Sequence, residues 1–262
     1  MIAGCLVLAA AATAPEPADR FPKAAASYLV SLDGRELWAR RADAARLPAS
    51  LTKIMTGLVL LEGSWKPEAE IRVSRRAASE TGSRLGLRPG ESMRADEALT
   101  AMLVASANDA CLALAEAAGP DGAFVAAMNA RAASLGLAAT HFDNPCGHDS
   151  PGQRSSARDL SVLARAALAH EEFATRVALP RATVRTLGGR SFDLTSGNAI
   201  LGRVPGARGV KSGYTPGAGK CLVGLAERDG KRALVVLLDA PDRWWTAAAL
   251  IEEAFDAAAP RP

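Results

Sequence analysis

The 262-residue sequence is short of several things, and each shortage removes a class of function. It holds three histidines, His141, His148 and His170, and their spacing matches no metal-ligand pattern, so neither a metal centre nor a cofactor is expected. Its four cysteines, Cys5, Cys111, Cys146 and Cys221, include no Cys-x-x-Cys pair. The three beyond the N-terminus are an odd number, which argues against a full disulfide framework, and each reads as a small core or loop residue. Lysine and arginine exceed the acids only slightly, 31 against 28, and no basic run gathers them, so nucleic acid is not an expected partner. No apolar stretch is long enough to span a bilayer. Beyond an alanine-rich bias there is no repeat or low-complexity tract.

What the chain does have is apolar residues, 49% of the total, enough for one large domain or two modest ones around a sizeable core. Residues 2–14 form an apolar, alanine-rich run, and the proline-containing polar residues 15–20 follow, so 1–20 resembles a secretory segment and linker. Ile2-Ala3-Gly4-Cys5 also looks like a lipoprotein signal, which would operate at Cys5 if residues precede Met1.

Residues 24–33 read as a strand, and Asp33-Gly34 turns it into a second at 36–39. A helix follows from Ser50, then an irregular link over 73–91 punctuated by Gly82, Gly86, Pro89 and Gly90. Helices are expected over 96–104, 109–117 and 122–135, and Ser156 opens another with Asp159 at the capping position. Strands return at 183–186 and 191–194. After a Gly/Pro-rich loop come strands 221–226 and 232–238, joined by Asp229-Gly230, and a final helix over 244–258. The fold class is therefore α/β in the mixed, α+β sense. One antiparallel sheet of about five strands is built from distant segments and flanked by helices, with a mostly helical subdomain beside it.

The stretch around Ser50 carries the chemistry. Leu51, Ile54, Met55 and Leu58 fall at helical spacing, which puts Ser50 and Lys53 on one face of the first turn. Lys53 stands where a capping box would carry an acid, and the exposed amides together with burial would press it toward its neutral form. A neutral amine beside a hydroxyl is a base beside a nucleophile. Taken alone, a Ser helix cap with a solvated Lys is the commoner arrangement.

Two other polar clusters change the balance: Ser106-Ala107-Asn108, and Lys211-Ser212-Gly213 followed by Tyr214-Thr215. Acyl transfer through a serine needs what these supply. Ser50 attacks, Lys53 takes the proton, Ser106 relays it to the leaving group, and Asn108 holds Lys53 or the substrate amide. Lys211 adds a second cation that lowers the Lys53 pKa and attracts a carboxylate, and Gly213 lets a substrate strand lie against its edge. Each has a plainer reading as well, Asn108 as a helix cap and Lys211 as a solvated loop lysine.

This ordered trio resembles the signature of penicillin-binding proteins and β-lactamases. Gly82-Ser83 with Gly86-Leu87 and Gly90-Glu91, then residues 103–110 around Ser106, Asn144-Pro145-Cys146-Gly147, Ser156-Ala157-Arg158-Asp159-Leu160 and residues 209–215 around Lys211 all look like the D-alanyl-D-alanine carboxypeptidase family. The resemblance runs over nearly all of residues 21–255. It implies a β-lactamase/transpeptidase-like fold, with 21–259 as one catalytic domain. The activity implied is a serine peptidase that removes the terminal D-alanine from peptidoglycan stem peptides ending in D-Ala-D-Ala, through an acyl-enzyme that β-lactam antibiotics also form. It further implies an oxyanion hole from the Ser50 and Tyr214 amides and an arginine, Arg243, near the substrate carboxylate, where a surface arginine at a helix start is the plainer reading. The implied location is exported, in the periplasm or on the wall side of the inner membrane, with a lipid anchor at Cys5 as one form.

Some positions depart from the family. Ser212 replaces the usual threonine and keeps the hydroxyl. Ser196-Gly197-Asn198 lacks the usual arginine, with Arg203 or Arg208 as substitutes. The chain stops at Pro262, so neither the family's C-terminal β-rich domain nor a C-terminal membrane anchor is expected. The alternatives are a D-alanyl endopeptidase with the same motifs, a non-catalytic wall-binding module, and a β-lactamase, for which Glu171 and Glu172 lack the Glu-x-x-Leu-Asn context.

Overall fold

The computed structural model describes residues 21–120 and 122–257. The export segment read at residues 1–20, with Cys5, lies outside them.

Strand β1 (Ser27–Leu32) turns at Asp33-Gly34 into β2 (Arg35–Arg40). Both turn residues have positive φ, 50° and 81°, the conformation that makes an Asp-Gly pair the natural two-residue hairpin turn. A 3-10 turn, Ala49–Thr52, leads into α1 (Lys53–Glu62). The chain then passes through β3 (Glu70–Arg72), α2 (Arg75–Ala78) and β4 (Ser92–Arg94), of which β3 and β4 pair. The helical half follows: α3 (Ala95–Val104), α4 (Asn108–Ala117), α5 (Ala123–Ser134), α6 (Ala157–Leu168) and α7 (Glu171–Val177). Ser156 caps α6 as its sequence suggests, its Oγ accepting from the Asp159 amide at 3.1 Å. Strands β5 (Arg181–Arg185) and β6 (Ser191–Thr195) form a hairpin, and β7 (Ala207–Thr215), β8 (Gly219–Arg228), β9 (Lys231–Leu238) and α8 (Arg243–Asp256) complete the chain.

The main sheet has five strands in the order β2-β1-β9-β8-β7, with antiparallel neighbours throughout, so the first and last strands pair within it. Period-two alternation sorts its side chains between two cores. Leu29 of β1 and Leu234, Val236 and Leu238 of β9 face the core shared with α1, α3 and α6. Tyr28, Val30 and Leu32, with Ala233, Val235 and Leu237, face α8.

Two expectations about strands need correction. The hairpin of β5 and β6 stands apart from the main sheet, because an alternating pattern does not say which strand it pairs with. The segment before Cys221 is not a loop but β7, the edge strand that carries Lys211, Ser212 and Gly213. Its glycines reflect close packing. A Cβ at Gly209, where φ is +100°, would sit 2.3 Å from the Val177 carbonyl oxygen, and the β7–β8 register shifts beside it.

Candidate active site

Ser50 lies in the 3-10 turn and Lys53 is the first residue of α1, so the pair sits one turn apart at the junction of two helical segments. Ser50 does not cap α1: the cap position belongs to Thr52, whose side chain bonds to the Ala49 carbonyl instead, at 2.8 Å. As the second residue of its turn, Ser50 has an amide with no carbonyl to bond within that turn.

Lys53 is fully buried, and three oxygens surround its Nζ: Cys146 O at 2.6 Å, Asn108 Oδ1 at 2.7 Å and Ser50 Oγ at 3.2 Å. The Asn108 amide has a fixed orientation, because its Nδ2 donates to the Thr81 carbonyl at 2.6 Å and so turns Oδ1 toward Lys53. Asn108 therefore does not cap α4, whose cap position is Ala107. Burial holds the Lys53 ammonium well below the usual lysine value, the Lys211 charge presses it further down, and Glu80 opposes both. In the neutral amine, Asn108 Oδ1 and Cys146 O can only accept, so they take its two hydrogens. The lone pair is left for the Ser50 hydroxyl.

Ser106 closes the second half of the site. It follows α3 with φ of +60°, a conformation uncommon outside glycine, and its Oγ accepts from Lys211 Nζ at 2.9 Å. Lys211 also donates to the Ser212 carbonyl at 3.0 Å, and burial, with the Arg243 charge adding to it, lowers its pKa to about 7. Neither the Ser106 hydroxyl nor Lys211 bonds to Lys53. The two lysines thus form two hydrogen-bonded pairs, one on each serine.

Gly213 brings the strand against the segment that carries Ser50. A Cβ there would lie 2.8 Å from Ser50 N and 3.0 Å from Ala49 Cβ, so only glycine permits this approach. The Ser212 hydroxyl donates to the Gly197 carbonyl at 2.7 Å, and Tyr214 points into solvent at 61% exposure. Arg243, at the start of α8, donates through Nη1 to the Gly213 carbonyl at 2.5 Å and to the Cys221 carbonyl at 3.4 Å, while its buried Nε has no partner. Arg203, suggested as a carboxylate ligand, stacks 5.1 Å over Trp245, and Arg208 lines a groove with Leu168 and Glu227. Glu171 and Glu172 open α7, where Glu172 pairs with Arg176.

The loop after α5 supports the floor. Asn144 Oδ1 gathers the amides of Cys146, Gly147 and His148 at 3.2, 2.8 and 3.0 Å, and Thr56 of α1 donates to the Pro145 carbonyl at 2.5 Å. Asp109 accepts from the amides of Leu85, Gly86 and Leu87, which pins the glycine-rich link to α4. The cysteine reading is corrected here. Cys111 and Cys146 form a disulfide, and Cys221 is the buried free thiol, pushed up to about 11 by burial. Sequence reasoning also missed the Cys146 carbonyl as a partner of Lys53, since a backbone atom leaves no signature in residue type. Among the described residues no three His, Cys, Asp or Glu side chains gather to hold a metal ion.

With this geometry in view, the comparisons are specific. Residues 13–242 match the family described as D-alanyl-D-alanine carboxypeptidase, peptidase S11. The chain is 36% identical over 224 residues to the D-alanyl-D-alanine carboxypeptidase DacF of Bacillus subtilis, covering 83% of this chain and 58% of that protein. It is 35% identical over 230 residues to DacB2 of Mycobacterium tuberculosis, likewise a D-alanyl-D-alanine carboxypeptidase, covering 85% and 78%. The crystal structure of the DD-transpeptidase of Streptomyces strain K15 superposes with a TM-score of 0.84 at 29% identity, over 89% of this chain and 97% of that one.

Proposed function

Since the chain belongs to the D-alanyl-D-alanine carboxypeptidase family, we propose that it is a serine D-Ala-D-Ala carboxypeptidase acting on peptidoglycan stem peptides, and that penicillins acylate it at the same serine. The observation that supports this reading is the meeting of three distant segments: Lys53 Nζ contacts Ser50 Oγ and Asn108 Oδ1, and Lys211 Nζ contacts Ser106 Oγ.

Neutral Lys53 takes the Ser50 proton as Oγ attacks the carbonyl of the penultimate D-alanine. The oxyanion that forms is met by the amides of Ser50 and Tyr214, the strand end being held against Ser50 at Gly213. Ser106, hydrogen-bonded to Lys211, passes its proton to the departing nitrogen and regains one from the Lys53 ammonium, so the terminal D-alanine leaves and Lys53 is again the neutral amine. Water then attacks the ester with Lys53 as base, which releases the shortened peptide and restores Ser50. Protonated Lys211 faces the terminal carboxylate, Arg243 adds charge beside it, and the Ser212 hydroxyl donates to that carboxylate by turning from the Gly197 carbonyl.

Residues 21–259 are read as one catalytic unit and 1–20 as the export segment, which places the enzyme on the wall side of the membrane. An endopeptidase reading uses the same site, and comparing linear pentapeptide with cross-linked dimer separates the two. The test of the main reading is incubation with a pentapeptide ending in D-Ala-D-Ala. Released D-alanine that disappears in Ser50→Ala supports it, and release that persists in Ser50→Ala contradicts it.

A further inference from the structure

Asn108 and Cys111 lie one helical turn apart on α4, and Cys111 is bonded to Cys146, whose carbonyl accepts from Lys53. The two obligate acceptors of the Lys53 amine therefore belong to one covalently closed frame, with Asn108 Oδ1 at 2.7 Å and Cys146 O at 2.6 Å from Nζ. The polar contacts of the loop lead elsewhere. Asn144 ties the loop to itself and Thr56 ties it to α1, whereas the disulfide ties it to the helix that carries Asn108.

We propose that the Cys111–Cys146 disulfide is a positioning element of this site, setting the spacing of the two oxygens that aim the Lys53 lone pair at Ser50. The inference rests on the reading of Ser50 and Lys53 given above. A drift of about 1 Å in the Cys146 carbonyl takes its contact with Nζ outside hydrogen-bonding range. The amine then turns to satisfy its free hydrogen elsewhere, and its lone pair leaves the serine. Misplacement on this scale costs up to about a hundredfold in rate.

The test compares the parent with Cys111→Ser/Cys146→Ser and Cys111→Ala/Cys146→Ala, using a fluorescent penicillin well below each protein's unfolding transition. A third sample is the parent reduced with dithiothreitol. That reagent gives up two electrons as it closes to its cyclic disulfide, and two protons end on the Cys111 and Cys146 thiols. The expected result is a first-order acylation rate at saturating penicillin that falls at least about tenfold in every folded sample, with little change in the concentration for half-saturation. A purely structural bond would lower the melting temperature and leave that rate alone. An unchanged rate in the folded variants overturns the proposal, and so does peptide mapping of the unreduced parent that finds the two cysteines unlinked. A parent that takes no penicillin at all overturns the serine–lysine reading instead, so the two failures are told apart.

Discussion

Gly213→Ala is the most exacting single-atom perturbation of this site. The added methyl would sit 2.8 Å from Ser50 N, 3.0 Å from Ala49 Cβ and 3.3 Å from Leu51 N, and two of these three are backbone atoms that no rotamer change can move. Carbon contacts settle at about 3.5–4.0 Å, so the end of β7 has to draw back from the 3-10 turn by about 0.5–1 Å. Overpacking of this kind costs about 1–3 kcal/mol. At about 2–4 °C per kcal/mol for a chain of this size, the melting temperature falls by about 2–12 °C. The kinetic effect is larger, because the same retreat separates the Tyr214 amide from the Ser50 amide, and a displacement near 1 Å costs about a hundredfold in rate. Gly224→Ala is the matched control. Gly224 lies on β8, the strand next to β7, and its Cβ would meet the tip of Ile200, in the 3-10 turn Ala199–Gly202, at 3.0 Å, a side chain free to yield, so the variant loses stability and keeps the parent's acylation rate. Stopped-flow labelling with a fluorescent penicillin, alongside thermal melts, reads both quantities. Gly213→Ala labelled at the parent rate would refute the claim that β7 and the nucleophile turn form one oxyanion site.

Ser50→Ala is expected to lose all labelling with an unchanged melting temperature, which intact-mass measurement and circular dichroism check together. Lys53→Ala also loses labelling, and it loses about 1–3 kcal/mol of stability as well, because Asn108 Oδ1 and Cys146 O are left buried without their donor. The Lys211 pKa, about 7 folded against 10.5 as reference, sets a stability slope. Below about pH 7 both states carry the proton and the burial cost is full. Above it the unfolded state holds the extra proton, so stability rises with pH by up to about 1.4 kcal/mol per unit. Denaturant titrations between about pH 7 and 9 should show this rise in the parent and a flatter profile in Lys211→Met; equal slopes would contradict the assignment. Arg243→Leu removes both the charge and the clamp on the Gly213 carbonyl, and is expected to lower kcat/KM for a D-Ala-terminated peptide by about 10–100-fold, measured by D-alanine release.

Much of this architecture was legible in residue types that leave little choice. Asp33-Gly34 and Asp229-Gly230 both adopt the paired positive φ angles that such hairpins demand, and Ser156 with Asp159 opens α6 as its spacing suggests. Two of the polar clusters mark junctions, Ser50 and Lys53 where the 3-10 turn meets α1 and Ser106 to Asn108 where α3 gives way to α4, whereas the third, at Lys211, lies inside β7. What escaped the sequence was governed by tertiary contacts. Gly209 and Gly213 made β7 look like a loop, although they are there because Val177 and Ser50 press against the strand. The odd cysteine count left one thiol over, as Cys221 is, but it could not show that Cys111 and Cys146 pair, because residues 35 apart are brought together only by the tertiary fold. Asn108 satisfied every local rule for a helix cap, yet its amide is committed to Lys53 and Thr81, partners 55 and 27 residues away. The depression of the Lys53 pKa was anticipated together with its two largest causes, burial first and the Lys211 charge second, whereas the opposing Glu80 was not.

Everything in the catalytic account depends on Ser50 becoming the covalent nucleophile because a neutral Lys53 lies beside it. The most direct test is to quench the protein after brief exposure to penicillin, digest it and sequence the modified peptide by tandem mass spectrometry. One penicilloyl group is expected, on the Ser50 hydroxyl, and none on Lys53→Ala under the same conditions. An adduct on Ser106 or another residue, or full labelling of Lys53→Ala, would contradict this assignment.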